Sequence, residues 1–156
     1  MLRIDIPGRG VLELEHLVLD VNGTIACDGS VAAGVAEVID GLRGQLHIVA
    51  ITADTHGTAP ALRDRLGVDI HVITPGGEAA QKLAFIESLG PERVVAVGNG
   101  ANDVSMLRAA AVGVCVIGDE GAAGGAVAVA DVVVTSAASL FGLLDNPARL
   151  VATLRV

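Results

Sequence analysis

The chain has 156 residues, 52% of them hydrophobic, with 10 basic against 18 acidic side chains and a net charge of −8. A chain of this length can bury one core without metals or disulfides to hold it, and its negative balance works against nucleic acid and anionic membranes as partners. The longest apolar stretches, residues 109–118 and 121–130, are separated by Asp119 and Glu120, and neither reaches the roughly 18 to 20 residues of a membrane helix. The first ten residues alternate apolar and charged side chains and carry no continuous signal-peptide-like segment, so a cytoplasmic location is expected. Cys27 and Cys115 stand far apart without metal-ligand spacing and are expected to be unpaired in a reducing compartment.

Residues 3–14 alternate in period two around P-G-R-G and predict a β-hairpin, an extension (1–14) on a single domain whose core is 15–156. From there, short apolar runs at 17–19, 46–51, 70–73, 94–97, 112–117 and 132–134 predict strands. Helix-like segments at 31–42, 58–66, 78–89, 103–111, 121–129 and 146–154 fall between or after them. Strands apolar on both faces and alternating with helices imply an α/β fold, a doubly wound, Rossmann-like parallel sheet with helices on both faces. The aliphatic residues, with two Phe and no Trp or Tyr, suit close helix-on-sheet packing.

In such a sheet ligands collect at the carboxyl ends of strands, and three strand ends carry polar residues: D-V-N-G-T at Asp20 to Thr24, I-T-A-D-T at Ile51 to Thr55, and G-N-G-A-N-D at Gly98 to Asp103. Taken singly, each has an ordinary structural role. Asn-Gly is a common turn pair, Thr52 could cap a helix, and Asp103 stands where a first-turn carboxylate favours the helix behind it. Lys82, however, is the one lysine among ten basic residues, and a compact ammonium is not interchangeable with a guanidinium. His16, His47 and His71 lie in or beside strands and are read as structural. His56 is a candidate for the rim of the site, and Cys27 is read as a small buried residue.

In order and spacing these motifs, with Lys82 between the second and third, resemble the haloacid dehalogenase superfamily of phosphotransferases, from about Leu17 to the C-terminus. Within it they look closest to the phosphorylation domain of P-type ATPases, in a free-standing form without membrane segments. The resemblance implies Asp20 as a nucleophile that forms an aspartyl-phosphate. It implies Mg²⁺ held by Asp20, the main-chain carbonyl of Asn22, Asn99 and Asp103. Thr52, Ala53, Lys82 and Asn102 would bind the phosphoryl group, with Lys82 offsetting its charge.

Two positions depart from the family pattern. Most phosphatases of the superfamily have an Asp two residues after the nucleophile, which protonates the leaving group and then activates water. Asn22 does not titrate, and loss of a general acid and base costs about a hundred- to ten-thousand-fold in rate. P-type ATPases also lack a carboxylate there, and their phosphoenzyme is long-lived. Asn99 stands where the family loop usually has an Asp metal ligand, which implies weaker metal binding. Only 27 residues separate Thr24 from Thr52 and 29 separate Thr52 from Lys82, too few for a cap domain, so the site is expected to be open. Capless relatives close theirs by homo-oligomerisation or by acting on large substrates.

The leading expectation is therefore a Mg²⁺-dependent phosphohydrolase or phosphotransferase with slowed turnover. Its substrate would be a small phosphorylated molecule or a phosphoprotein. A phosphate-responsive regulatory module with little turnover is the first alternative, and a purely structural domain the second.

Overall fold

The computed structural model describes residues 1–55 and 57–156; His56, a candidate from the sequence, lies outside the described residues. The N-terminal hairpin pairs β1 (Leu2–Ile6) with β2 (Gly10–Leu14), Leu2 opposite Leu14 and Ile6 opposite Gly10. In β1 the apolar residues face the core while Arg3 and Asp5 face solvent, as the alternation of a half-buried strand requires.

After the hairpin come β3 (His16–Asp20), β4 (Ala26–Cys27), β5 (Ser30–Val31), α1 (Val35–Leu42), β6 (His47–Thr52), α2 (Ala59–Leu66), β7 (Asp69–Val72) and α3 (Glu78–Leu89). The chain continues through β8 (Val94–Gly98), α4 (Val104–Ala109), β9 (Val112–Val116), α5 (Gly124–Val129), β10 (Val132–Val134), α6 (Ala137–Asp145) and α7 (Pro147–Leu154). Six strands form one parallel sheet in the order β10-β9-β8-β3-β6-β7. Successive side chains of a strand point to opposite faces, and β3 divides accordingly. Leu17 and Leu19 join a core completed by α1, α2, α6, α7 and the hairpin, whereas Val18 joins a second core with Ile86 of α3, Met106 and Leu107 of α4, and Ala126 of α5. Helices cover both faces, as expected of a sheet whose strands are apolar throughout.

The topology decides where a ligand can sit. From β3 the chain moves outward through β6 to β7, then returns along α3 on the other face to start β8 on the opposite side of β3. The connections thus leave β6 and β8 in opposite directions and open a crevice at the carboxyl end of β3, the switch point of the sheet.

Three local expectations are corrected. The helix expected from residue 31 begins at Val35, because Ser30–Val31 instead pairs antiparallel with Ala26–Cys27. Asp28 (φ 49°) and Gly29 (φ 78°) join the two short strands, a pair of left-handed residues that makes a tight hairpin turn. The helix expected from 121 starts at Gly124, since Gly118 and Gly121 bridge across a turn first. α6 went unread in the sequence, although Ser136 caps it by accepting the Ser139 N–H at 3.1 Å and Ala137, Leu140, Phe141 and Leu144 are buried at helical spacing.

Candidate active site

The three polar strand ends and the single lysine meet in the crevice. Asp20 closes β3, Thr52 closes β6, and the loop after β8 carries Asn99 to Asp103. Lys82 reaches the same point from α3, although 62 residues separate it from Asp20. Its Nζ donates to Asp20 Oδ1 and to Asp103 Oδ1, each at 2.6 Å. All three residues are buried, Lys82 to 2% exposure and Asp103 to 0%. A lysine is almost never buried unless it is paired.

Asp103 is held on both of its oxygens. Oδ1 takes Lys82, and Oδ2 accepts the backbone N–H groups of Asn99 at 3.0 Å and Gly100 at 2.8 Å. A Cβ on Gly98 would stand 2.5 Å from this carboxyl carbon, so the first glycine of the loop is needed for space. Asp20 is less occupied: beyond Lys82, its Oδ2 receives, among the described residues, only Thr24 Oγ1 at 3.2 Å. The Thr24 hydroxyl also lies 3.3 Å from Asn99 Oδ1 and so joins the first loop to the third, a role that its place four residues after Asp20 could have suggested.

Thr52 Oγ1 accepts the Asp54 N–H at 3.0 Å, and among the described residues its hydroxyl proton has no acceptor. Asp54, with φ 47°, turns back to accept Thr58 N–H at 2.6 Å and Ala59 N–H at 2.9 Å through Oδ1. It thereby caps α2 and fixes the loop after Thr52. Ala53 is half-buried beside it, whereas Asn22 and Asn102 are exposed. Asn22 lines a cavity of about 130 Å³ with Val21, Val31, Leu62 and Arg65. Roomier hollows of about 420 and 650 Å³ lie elsewhere, one around His47 and Asp69 and one beside the hairpin, and neither includes a motif residue.

Burial, and then the charge of Asp103, push Asp20 up to about 6, while Lys82 and the Thr24 hydrogen bond pull it back. Burial alone would lower the Lys82 ammonium, but Asp20 and Asp103 outweigh it and hold Lys82 above its ordinary value. Lys82 therefore stays charged, and strain in this group falls on Asp20. A carboxylate whose folded-state pKa is raised above its unfolded value of 3.8 costs stability when ionised, so stability falls as pH rises from about 4 to about 6. Asp20→Asn is accordingly expected to stabilise the metal-free protein by on the order of 3 kcal/mol at pH 8, with the advantage shrinking toward pH 4. Urea unfolding in EDTA at both pH values measures this, and equal stability of the two proteins at pH 8 would contradict it.

The remaining candidates fall outside this group. His16 and His47 meet edge-on at 5.6 Å at the start of their strands, and His47 Nε2 pairs with Asp69 at 2.8 Å. His71 stacks on Phe85 at 4.0 Å. Both cysteines are free. Cys27, expected to be buried, is half-exposed, with Sγ 3.6 Å from Glu120 Oε1. Desolvation, and then Asp28 and Glu120, hold its thiol pKa up, which argues against a reactive thiolate.

Oxygen atoms gather around Lys82 and Thr24 in the crevice: the Asp20 and Asp103 carboxylates and the Asn99 amide oxygen. That set fits a hard cation such as Mg²⁺, and Asp20 Oδ2 carries a single long hydrogen bond among the described residues. Between Thr24 and Thr52 the described residues form only the small β4–β5 hairpin and α1, and between Thr52 and Lys82 only α2, β7 and the start of α3. Among the described residues there is thus no cap over the site, and no helix is long and apolar enough to cross a membrane.

The family model described as haloacid dehalogenase-like hydrolase matches residues 5–111. An uncharacterized protein of Methanocaldococcus jannaschii is 42% identical over 84 residues, 51% of this chain and 90% of that one. The phospholipid-transporting ATPase tat-1 of Caenorhabditis elegans is 38% identical over 88 residues, 56% of this chain but 8% of the ATPase. Among solved structures, the 3-deoxy-D-manno-octulosonate 8-phosphate phosphatase of Moraxella catarrhalis, solved with magnesium, phosphate and KDO, shares the fold at a TM-score of 0.69. It is 16% identical, with 91% of this chain and 94% of that one covered. The likeness to phosphatases and to transport-ATPase domains agrees with the motifs, and the chain belongs to the haloacid dehalogenase-like hydrolases.

Proposed function

We propose that this chain is a phosphotransferase or phosphohydrolase that accepts a phosphoryl group on Asp20 and releases it slowly. The observation that carries the reading is the Lys82 ammonium bridging Asp20 and Asp103 at 2.6 Å to each, at the switch point of the sheet. That arrangement sets an ammonium against the buried Asp20 carboxylate and offsets part of what burial and Asp103 cost its charged form.

In the first step an oxygen of Asp20 attacks the phosphorus, an O–P bond forms, and the bond from phosphorus to the leaving group breaks with its electron pair departing on the leaving group. Lys82 and the Thr52 hydroxyl, with the amides around Ala53 and Asn102, offset charge on the transferring oxygens. Mg²⁺, held by Asp20, the Asn22 carbonyl and Asn99, with Asp103 behind them, would neutralise substrate phosphate charge. In the second step water attacks phosphorus, the Asp20–phosphorus bond breaks, the carboxylate is regenerated, and the water's proton passes to solvent. Asn22, two residues after Asp20, stands where the family acid would protonate the leaving group, and its amide can hydrogen-bond that group but gives it no proton.

Substrates whose leaving groups need no protonation follow from this: acyl phosphates, phosphoanhydrides and aryl phosphates. Labelling of Asp20 by acetyl phosphate or p-nitrophenyl phosphate is expected to exceed that by a simple alkyl monoester by about a hundredfold or more, the usual worth of a general acid. Initial labelling rates with the three donors measure the ratio, and equal rates would contradict the assignment of Asn22. Asn22 and Asn99 also favour a second reading, a phosphate-responsive module. In that case phosphate and Mg²⁺ raise the unfolding midpoint without any acid-stable, hydroxylamine-labile phosphoprotein being formed.

A further inference from the structure

We infer that Glu120 supplies to the cation site the negative charge that Asn99 does not, which rests on the reading of the crevice as a Mg²⁺ site. Glu120 comes from the loop between β9 and α5, a fourth strand end whose polar residues, Asp119 and Glu120, follow an apolar strand just as the three motifs do. Its carboxylate turns toward the first loop. A Cβ built on Gly23 would lie 2.6 Å from Glu120 Oε2 and 2.5 Å from Asn99 Nδ2. The two side chains therefore crowd the same point, over the residue that follows the Asn22 carbonyl. Gly23, with φ 78° and no side chain, leaves that space open.

The other Glu120 oxygen is engaged separately, Oε1 lying 3.6 Å from Cys27 Sγ. One oxygen is thus steadied by the β4–β5 hairpin while the other shares the space beside Gly23 with the Asn99 amide, whose nitrogen is the nearer of its two end atoms. The charge balance of the crevice explains why a further carboxylate matters. Asn99 is neutral, and Asp103 has both oxygens taken by Lys82 and two backbone amides. Of the two carboxylates in the implied metal set, Asp20 is then the one with an oxygen that carries a single long hydrogen bond among the described residues, and it shares the Lys82 charge. Magnesium sites are built from one or two carboxylates with neutral oxygens and waters completing the shell, and Glu120 brings this one to two. It is exposed, so it can bind directly or through a water of the shell.

The test is Mg²⁺ binding to the full chain by titration calorimetry, with no substrate present, for wild type, Glu120→Gln, Asp119→Asn and the double variant Asn99→Asp/Glu120→Gln. Glu120→Gln should weaken Mg²⁺ about tenfold, since affinity in oxygen-ligand sites follows ligand charge, and its metal-free unfolding midpoint should match wild type. Asp119→Asn, the neighbouring exposed carboxylate, should change the affinity by less than about twofold, as expected for a screened charge outside the shell. The double variant should bind at least as tightly as wild type. Equal affinity of Glu120→Gln and wild type, or equal losses in the Glu120 and Asp119 variants, would overturn the role of Glu120 and leave the Mg²⁺ reading in place. A folded wild type that takes up no Mg²⁺ would overturn both.

Discussion

Lys82→Ala is expected to abolish phosphoryl transfer and also to destabilise the metal-free protein by about 3 to 5 kcal/mol, the cost of removing one partner from a buried ionic group. Lys82 Nζ is the common donor to Asp20 and Asp103, and without it two buried carboxylates face each other across a space that water barely reaches. Asp20, already held at about 6 with the ammonium present, would rise further and be protonated at neutral pH, which removes its nucleophilic lone pair at the same time as its charge. Magnesium should restore part of the lost stability by taking over part of the lost charge, and none of the transfer rate, because it does not reproduce the ammonium's hydrogen bond to Asp20. Urea unfolding with and without Mg²⁺, alongside labelling by acetyl phosphate, separates the two effects. Wild-type stability in EDTA together with normal labelling would show that Lys82 serves neither role.

Asn22→Asp carries the second large effect. The residue is exposed in the first loop, two residues after Asp20, and lines a small cavity with Val31, Leu62 and Arg65. A carboxyl group there can protonate a departing oxygen and then take a proton from the attacking water. Phospho-Asp20 should then decay about a hundred- to ten-thousand-fold faster, and alkyl monoesters should become substrates. The added charge also raises repulsion within a site already crowded with carboxylates, so the comparison belongs at saturating Mg²⁺. Decay of pre-labelled protein measures it, and equal decay of a correctly folded variant would place the control of turnover in another residue.

The sheet and the four-part site were legible because their signals are local. Asp20, Thr52 and Asn99 each follow an uninterrupted apolar strand, and the lone lysine stands out by composition alone. What stayed hidden depends on approach between distant segments or on patterns that compete. The turn Asp28-Gly29 lies inside a stretch that continues into helical spacing, and the pairing of residues 26–27 with 30–31 overrode that period. α6 is so rich in Ala, Leu and Gly that its polar face is short, and the Ser136 cap was its clearest mark. The position of Glu120 could not be read from spacing, since its carboxylate comes near Cys27 across 93 residues of chain and does so only once β9 lies two strands from β3. The full engagement of Asp103 was equally invisible. From its motif it reads as a ligand, and in the fold it also anchors Lys82 and the loop from Asn99 to Gly100.

The most direct test of the central claim, that Asp20 receives the phosphoryl group, is the intact mass of the full chain after brief mixing with Mg²⁺ and acetyl phosphate and an acid quench. Wild type should gain the mass of one phosphoryl group, lost on treatment with hydroxylamine and mapped to the peptide containing Asp20, and Asp20→Asn should gain none while remaining folded. An unmodified wild type under these conditions, or equal labelling of Asp20→Asn, would contradict the account.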